Sequence, residues 1–161
     1  MELRGKAILP GTGHQAGRAL LAEMYLACTG VPMPPICLTP MGKPYFQDHS
    51  LHFSISHTPK HVFCALSDKP VGLDAEEADR RLNPNLAHRI LSEKELAQFQ
   101  GAEDKHLALL KFWVLKEAAA KRSGKGLSYP PNHTDFSLDD PRILIMDGCV
   151  VAVMEEETNA V

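Results

Sequence analysis

Four residues in two short runs have the types and spacing to do chemistry. Asp74 and Glu76 stand in Val71-Gly72-Leu73-Asp74-Ala75-Glu76, and Glu117 and Lys121 in Trp113-Val114-Leu115-Lys116-Glu117-Ala118-Ala119-Ala120-Lys121. The first run reads as a strand, so its two carboxylates point to one face, roughly 6.7 Å apart along the strand. The second reads as a helix, which puts Glu117 and Lys121 one turn apart on a shared face. Three carboxylates and a lysine converging on one point make a magnesium site with a cation beside it. That combination suits a phosphate ester or anhydride.

Plainer readings exist for each piece. Asp74 and Glu76 could be a solvated strand end running on into Glu77 and Asp79. Glu117 and Lys121 could be a surface pair worth about 0.2–0.5 kcal/mol. The helix pattern favours chemistry. Its apolar stripe of Leu107, Leu110 and Val114 continues onto Glu117, Ala118 and Lys121, and a solvated face is not built that way.

Ser56 and His57 end the run Phe53-Ser54-Ile55-Ser56-His57, and a hydroxyl and an imidazole can both donate to phosphate oxygens. A nucleophile–base pair is disfavoured, because neighbours on a strand point oppositely, and the chain has no GxSxG elbow. Lys43 sits in the turn Gly42-Lys43-Pro44; the plainer reading is an exposed turn residue. Gly11-Thr12-Gly13 is a weak anion-cradle signal, and Gly124-Lys125-Gly126 reads as a helix C-cap. GxxxxGK[ST] and HExxH are both absent from the sequence. The four-residue spacing of His57 and His61 carries no ligand meaning in a strand–loop context.

The elements that must position these groups follow from periodicity and punctuation. Residues 14–28 have helical spacing and stop at Gly30, while the proline-rich stretch 31–44 reads as a surface loop. Stretches 51–55 and 62–66 read as paired strands, followed by the strand 71–76. Helical segments follow at 85–91 and 93–100, the second opened by a Ser92/Glu95 capping box. The longest helix is expected over 102–122, and the hairpin 142–146/149–155 turns at Asp147-Gly148. Each half thus has a long helix, a proline-bearing loop and paired strands. The expectation is an α+β fold of two similar α+β subdomains related by a pseudo-twofold axis, each a long helix on a small antiparallel sheet. Their bounds are residues 1–70 and 71–161, with the active site in the cleft between them.

The chain has 161 residues, 44% apolar and 23% charged, with a net charge of -3. It is ordinary for one globular domain or two very small ones, and without a basic excess it carries no nucleic-acid signature. No apolar run is long enough to span a membrane, and the N-terminal residues lack a signal-peptide core. The four cysteines (Cys28, Cys37, Cys64 and Cys149) are scattered without a CxxC. They read as small buried apolar residues in a reduced compartment, so a cytoplasmic protein is expected.

Taken in order, Gly42-Lys43-Pro44, Phe53-Ser54-Ile55-Ser56-His57, Val71 to Glu76 and Trp113 to Lys121, continuing through Gly124-Lys125-Gly126-Leu127-Ser128, resemble the 4′-phosphopantetheinyl transferases. The resemblance is to the larger, pseudo-dimeric type associated with peptide and polyketide synthases, and it covers residues 14–138. It implies transfer of the phosphopantetheine arm from coenzyme A to a serine of an acyl or peptidyl carrier protein, with release of adenosine 3′,5′-bisphosphate. Carried over by position, Asp74, Glu76 and Glu117 are implied as ligands of magnesium, with manganese the alternative. Lys121 is implied to contact the substrate phosphate, and Lys43, Ser56 and His57 the phosphates of the adenosine end. Arg18, matching an arginine of the family's first long helix, is implied as a further phosphate contact.

The carrier serine needs a general base; Glu117, directly or through a metal-bound water, is the first choice, with Asp74 or Glu76 acting through water as rivals. The order of motifs predicts one site between two halves of a single chain, and so a monomer. An acidic carrier protein predicts a basic docking patch, for which Arg80, Arg81, Arg89 and Lys94 are candidates. The chain departs from the larger type in having only Arg4 and Lys6 as basic residues ahead of its first helix, and in Pro130-Pro131 after Gly126. Two competing functions remain open to the same residues. One is a magnesium-dependent phosphohydrolase acting on coenzyme A or a nucleotide; the other is a non-catalytic coenzyme A-binding protein.

Overall fold

The computed structural model describes residues 1–131 and 134–157. Two antiparallel three-stranded sheets make its centre. The first orders β1 (Glu2–Ala7), β5 (His61–Ser67) and β4 (His52–His57) as β1-β5-β4; the second orders β6 (Val71–Glu77), β8 (Cys149–Glu155) and β7 (Ile143–Met146) as β6-β8-β7. Each is built from a strand, a long helix and a hairpin whose last strand takes the middle place. The helices are α1 (Gly13–Thr29), after β1, and α4 (Lys105–Ser123), after β6. The fold is therefore α+β with two topologically matching units. Smaller pieces decorate them: the hairpin β2 (Ile36–Leu38) and β3 (Pro44–Phe46) in the first, α2 (Ala87–Ile90) and α3 (Glu93–Gly101) in the second.

Strand alternation sorts side chains into separate cores. Val62, Cys64 and Leu66 of β5 pack with Leu20, Leu21 and Met24 of α1. Val150, Ala152 and Met154 of β8 pack with Phe112, Leu115 and Ala118 of α4. The alternate residues meet between the sheets, where Phe63 and Ala65 join Val71, Leu73, Ala75, Val151 and Val153. Each fully buried large side chain here contributes about 1.5–3 kcal/mol by leaving water. Each helix therefore covers the outer face of its own sheet, and the inner faces cover each other.

The two sheets are also joined along an edge. Ser54 Oγ accepts from Leu73 N at 3.0 Å and Ser56 Oγ from Ala75 N at 3.1 Å. Hydroxyls of β4 thus satisfy donors on the open edge of β6 that no strand pairs. On the other side, Gly72 lets α4 approach β6, since a Cβ there would lie 2.0 Å from the Ala118 carbonyl oxygen.

Local signals stop and start the elements as expected. Ser92 and Glu95 form the reciprocal capping box of α3, at 3.2 and 2.9 Å. Gly124 caps α4 with φ 69°. Asp147 and Gly148 both take positive φ, the requirement of a type I′ hairpin turn.

Two expectations need correction, and one element was not anticipated. Residues 2–7 form a strand that periodicity did not announce, because Glu2, Arg4 and Lys6 suit an edge strand paired only to β5. The stretch read as loop 31–44 contains β2 and leads into β3. The cysteines are free, but only Cys64 and Cys149 are buried; Cys28 is exposed. Among the described residues, no helix is long and apolar enough to cross a membrane.

Candidate functional site

The chemistry-bearing groups collect where β6 meets α4. Asp74 is buried at 6% exposure, and its Oδ1 accepts from Lys121 Nζ at 2.8 Å and from Ser56 Oγ at 3.2 Å. Its other oxygen, Oδ2, is buried with no hydrogen-bond partner. Burial pushes the Asp74 carboxyl above its ordinary range. The Lys121 ammonium pulls the other way and the Glu76 charge reinforces burial. Burial wins because only one carboxylate oxygen is compensated.

Glu76 follows on the same face; its Oε1 accepts from Trp113 Nε1 at 3.3 Å and from the Arg80 guanidinium. Glu117, on α4, is partly buried, and its carboxyl is also pushed up, first by burial and then by the charge of Asp74, with Glu76 adding to it. Lys121 and Arg80 oppose that shift. The charge of Glu76 thus acts on Asp74, and those of Asp74 and Glu76 on Glu117, so the three acids stand close together. A buried, unpartnered carboxylate oxygen beside two further carboxylates fits a hard divalent cation. The oxygens do not form a closed cage: among the described residues, the trio of His, Cys, Asp or Glu whose ligand atoms all lie within 4.8 Å of one another is His61, Glu77 and Cys149.

Next to these acids a cavity of about 640 Å³ opens between the β3–β4 region and α4, lined by Lys43, Ser54, Glu117, Lys121, Gly124 and Tyr129 among others. Asp74 is not in its wall and reaches it through Lys121. Lys43 Nζ donates to the Arg122 carbonyl at 2.8 Å, and burial followed by the Arg122 guanidinium lowers its proton affinity. Beyond Lys43 a second concavity of about 1020 Å³ is lined by Arg122, Lys125 and Arg142 and by Glu156 and Glu157. Arg122 and Arg142 were not among the residues the sequence singled out, and Lys125 was read only within a helix C-cap and the matching motifs. Arg122 and Lys125 adjoin the Lys121 motif, and that adjacency was the available signal; Arg142 offered none.

The remaining candidates divide. Ser56 belongs to the acidic cluster, but its hydroxyl donates to Asp74 and accepts from Ala75 N, so it serves the joint between the sheets. His57 is exposed at the end of β4, its ring resting on Gly13 at the start of α1. Arg18 lies on α1, partly buried. Neither His57 nor Arg18 lines the 640 Å³ cavity. Of the basic residues considered for a carrier, Arg80 is tied to Glu76 and Lys94 pairs with Asp135 at 3.5 Å.

Comparison with known proteins adds to this geometry. Residues 70–146, which span β6, α4 and β7, match the family model of the 4′-phosphopantetheinyl transferase superfamily. The chain is similar to a 4′-phosphopantetheinyl transferase gsp of Aneurinibacillus migulanus, with 36% identity over 93 residues, 56% of this chain and 38% of that protein. It is also similar to the 4′-phosphopantetheinyl transferase Sfp of Bacillus subtilis strain 168, with 37% identity over 93 residues, 55% and 41% of the two chains. A holo-[acyl-carrier-protein] synthase of Aliivibrio salmonicida is 37% identical over 65 residues, 40% of this chain and 52% of that one. The matched stretch spans less than half the length of the first two relatives.

Proposed function

The chain belongs to the 4′-phosphopantetheinyl transferase superfamily, and from that premise we propose that it moves the 4′-phosphopantetheine arm of coenzyme A onto a carrier-protein serine. The observation that carries this reading is the buried, unpartnered Asp74 Oδ2 beside Glu76 and Glu117, with Lys121 at the wall of a cavity. In this proposal Asp74, Glu76 and Glu117 hold magnesium. Bound there, the ion supplies Lewis-acid neutralisation of charge on the pyrophosphate.

The chain's own residues do the rest. Lys121 turns its ammonium from Asp74 to a phosphoryl oxygen, adding a fixed positive charge where negative charge grows. The serine oxygen forms the new bond to phosphorus, and the bond to adenosine 3′,5′-bisphosphate breaks. In this proposal Glu117 takes the serine proton as the general base, an effect worth about 10²–10⁴-fold. Lys43 stands between the cavity and the concavity beyond it, where Arg122 and Lys125 lie, so the adenosine-end phosphates are assigned to that side, with Arg18 and His57 at the α1 edge. The reading takes residues 1–70 and 71–161 as the two halves, and the protein as a cytoplasmic monomer.

The test is intact-mass spectrometry of apo acyl and peptidyl carrier proteins incubated with this chain, coenzyme A and magnesium. The expected result is a gain of one phosphopantetheine that EDTA abolishes. No gain on any carrier, with coenzyme A consumed, would replace the transferase by a phosphohydrolase. Binding of coenzyme A with neither outcome would leave a binding protein.

A further inference from the structure

The opposite face of β6 carries a second constellation. Glu77 continues the series Val71, Leu73 and Ala75, which points between the sheets, away from the face of Asp74 and Glu76. Its ladder partner is Cys149, the first residue of β8. His61, the first residue of β5, reaches in from the other sheet. His61 Nδ1 lies 3.0 Å from Glu77 Oε1 and 3.5 Å from Cys149 Sγ. Thr58 Oγ1 donates to the same Glu77 oxygen. The imidazole and carboxylate keep 16% and 13% exposure, while Cys149 is fully buried.

These separations are close to those of a metal polyhedron, and all three donor atoms lie within 4.8 Å of one another. Tetrahedral bonds of about 2.0 Å to nitrogen and about 2.3 Å to sulfur place the two donors about 3.5 Å apart, and nitrogen and oxygen about 3.3 Å apart. The donor set is a borderline nitrogen, a soft sulfur and one carboxylate, the kind that selects zinc-class ions over magnesium. The Cys149 thiol is within hydrogen-bond reach of His61 at the rim of the apolar core between the sheets, so the three donor groups converge on one point. Thr58 occupies the outer position from which a ligating carboxylate is usually oriented.

We propose that His61 Nδ1, Glu77 Oε1 and Cys149 Sγ form a site for a zinc-class divalent cation, with solvent at the fourth position. Binding releases the thiol proton to solvent and requires the imidazole proton on Nε2, so that Nδ1 and the thiolate are both free to bond the metal. Because its ligands come from β5 of one sheet and β6 and β8 of the other, the ion clips the two sheets together at one end. The site is independent of the transferase reading, and it faces away from the acidic groups that would hold magnesium.

The experiment is a cobalt(II) titration of the reduced, metal-stripped full chain in a Cys28→Ser/Cys37→Ser background, which removes the two accessible thiols. The expected result is a thiolate-to-cobalt charge-transfer band, with the strong visible absorption of tetrahedral cobalt, that saturates at one equivalent in the presence of excess magnesium to fill the carboxylate site. Zinc should bleach both, and magnesium should not. Cys149→Ser should lose the charge-transfer band, His61→Ala should bind at least about tenfold more weakly, and Thr58→Val about 10–100-fold more weakly. Absence of the band in the parent protein overturns the proposal, whatever the variants do. So does a band that survives Cys149→Ser or is indifferent to His61→Ala.

Discussion

The two units share a topology and differ in what their long helices bury. α1 meets its sheet through Gly13, Gly17, Leu20, Leu21, Met24 and Tyr25, none of them charged. α4 buries Lys116 at 5% exposure, and its partly buried Glu117 and Lys121 face the acids of β6. Lys116 Nζ donates to Glu95 Oε1 at 2.7 Å, and Glu95 Oε2 accepts from Phe136 N at 3.2 Å. That buried pair ties α3 and the segment around Phe136 to the helix that carries the site. The capping-box glutamate of α3 is thus also the counter-ion of the α4 lysine. One unit keeps an apolar helix–sheet contact and offers hydroxyls and Lys43 at its edge. The other accepts buried charge, which is costly unless partnered. The same frame can serve as a scaffold in one copy and a charged site in the other.

The largest expected effect tests that division of labour. Glu117→Ala, in the second unit, should keep the fold and lower turnover of phosphopantetheine transfer by about 10²–10⁴-fold. Arg18→Ala, in the first, should weaken coenzyme A binding by about ten- to a hundredfold through one lost charged contact, leaving turnover nearly intact. Steady-state kinetics separate the two, and equal losses of turnover from both would break the comparison.

A smaller effect separates the two helix–sheet contacts. A Cβ on Gly72 would sit 2.0 Å from the Ala118 carbonyl oxygen and 2.4 Å from Arg122 N, both backbone atoms that cannot rotate away. Gly72→Ala should therefore cost about 1–3 kcal/mol or more as α4 lifts from β6. A Cβ on Gly17 meets Ile55 Cγ2 at 2.7 Å, the end of a side chain. Ile55 is stiff at χ1, but alanine favours a helix over glycine by about 1 kcal/mol, so Gly17→Ala should cost less than Gly72→Ala. Chemical denaturation of both variants measures the contrast.

The smallest effect is a pH slope. Asp74 and Glu117 hold protons more tightly in the folded chain than carboxyls ordinarily do. The native state then binds more protons than the unfolded chain, so stability should fall as pH rises from the ordinary carboxylate range through the raised values. Asp48 of the first unit is shifted down, by its hydrogen bonds to Ser50, and contributes the opposite slope. Asp74→Asn should flatten the fall, and added magnesium should stabilise the chain more as pH rises. Unfolding midpoints across that range report both.

Much of the second unit was legible because its signals are local. The alternation of 71–77, the Ser92/Glu95 box, the Gly124 stop and the Asp147-Gly148 turn each depend on residues within one turn of one another. The edge strand β1 was not, since its charged residues give no apolar alternation and its place comes from pairing with β5, some sixty residues away. Ser56 was legible as a polar group near the site but not as the joint between two sheets. His61 carried no ligand meaning beside His57; its partners, Glu77 and Cys149, stand 16 and 88 residues further on.

The sequence by itself determined the α+β class, the repeated unit and the four groups on β6 and α4 that face one another, because periods of 2 and 3.6 and the chemistry of caps and turns act over a few residues. Only the tertiary structure decided which oxygen of Asp74 Lys121 takes, which is left bare, that Ser54 and Ser56 close the edge of β6, and that Glu77 turns to the other face beside Cys149 and His61. Those outcomes depend on burial and on partners brought together from distant parts of the chain. A side chain's charge and desolvation are set by what packs against it, which no local pattern records.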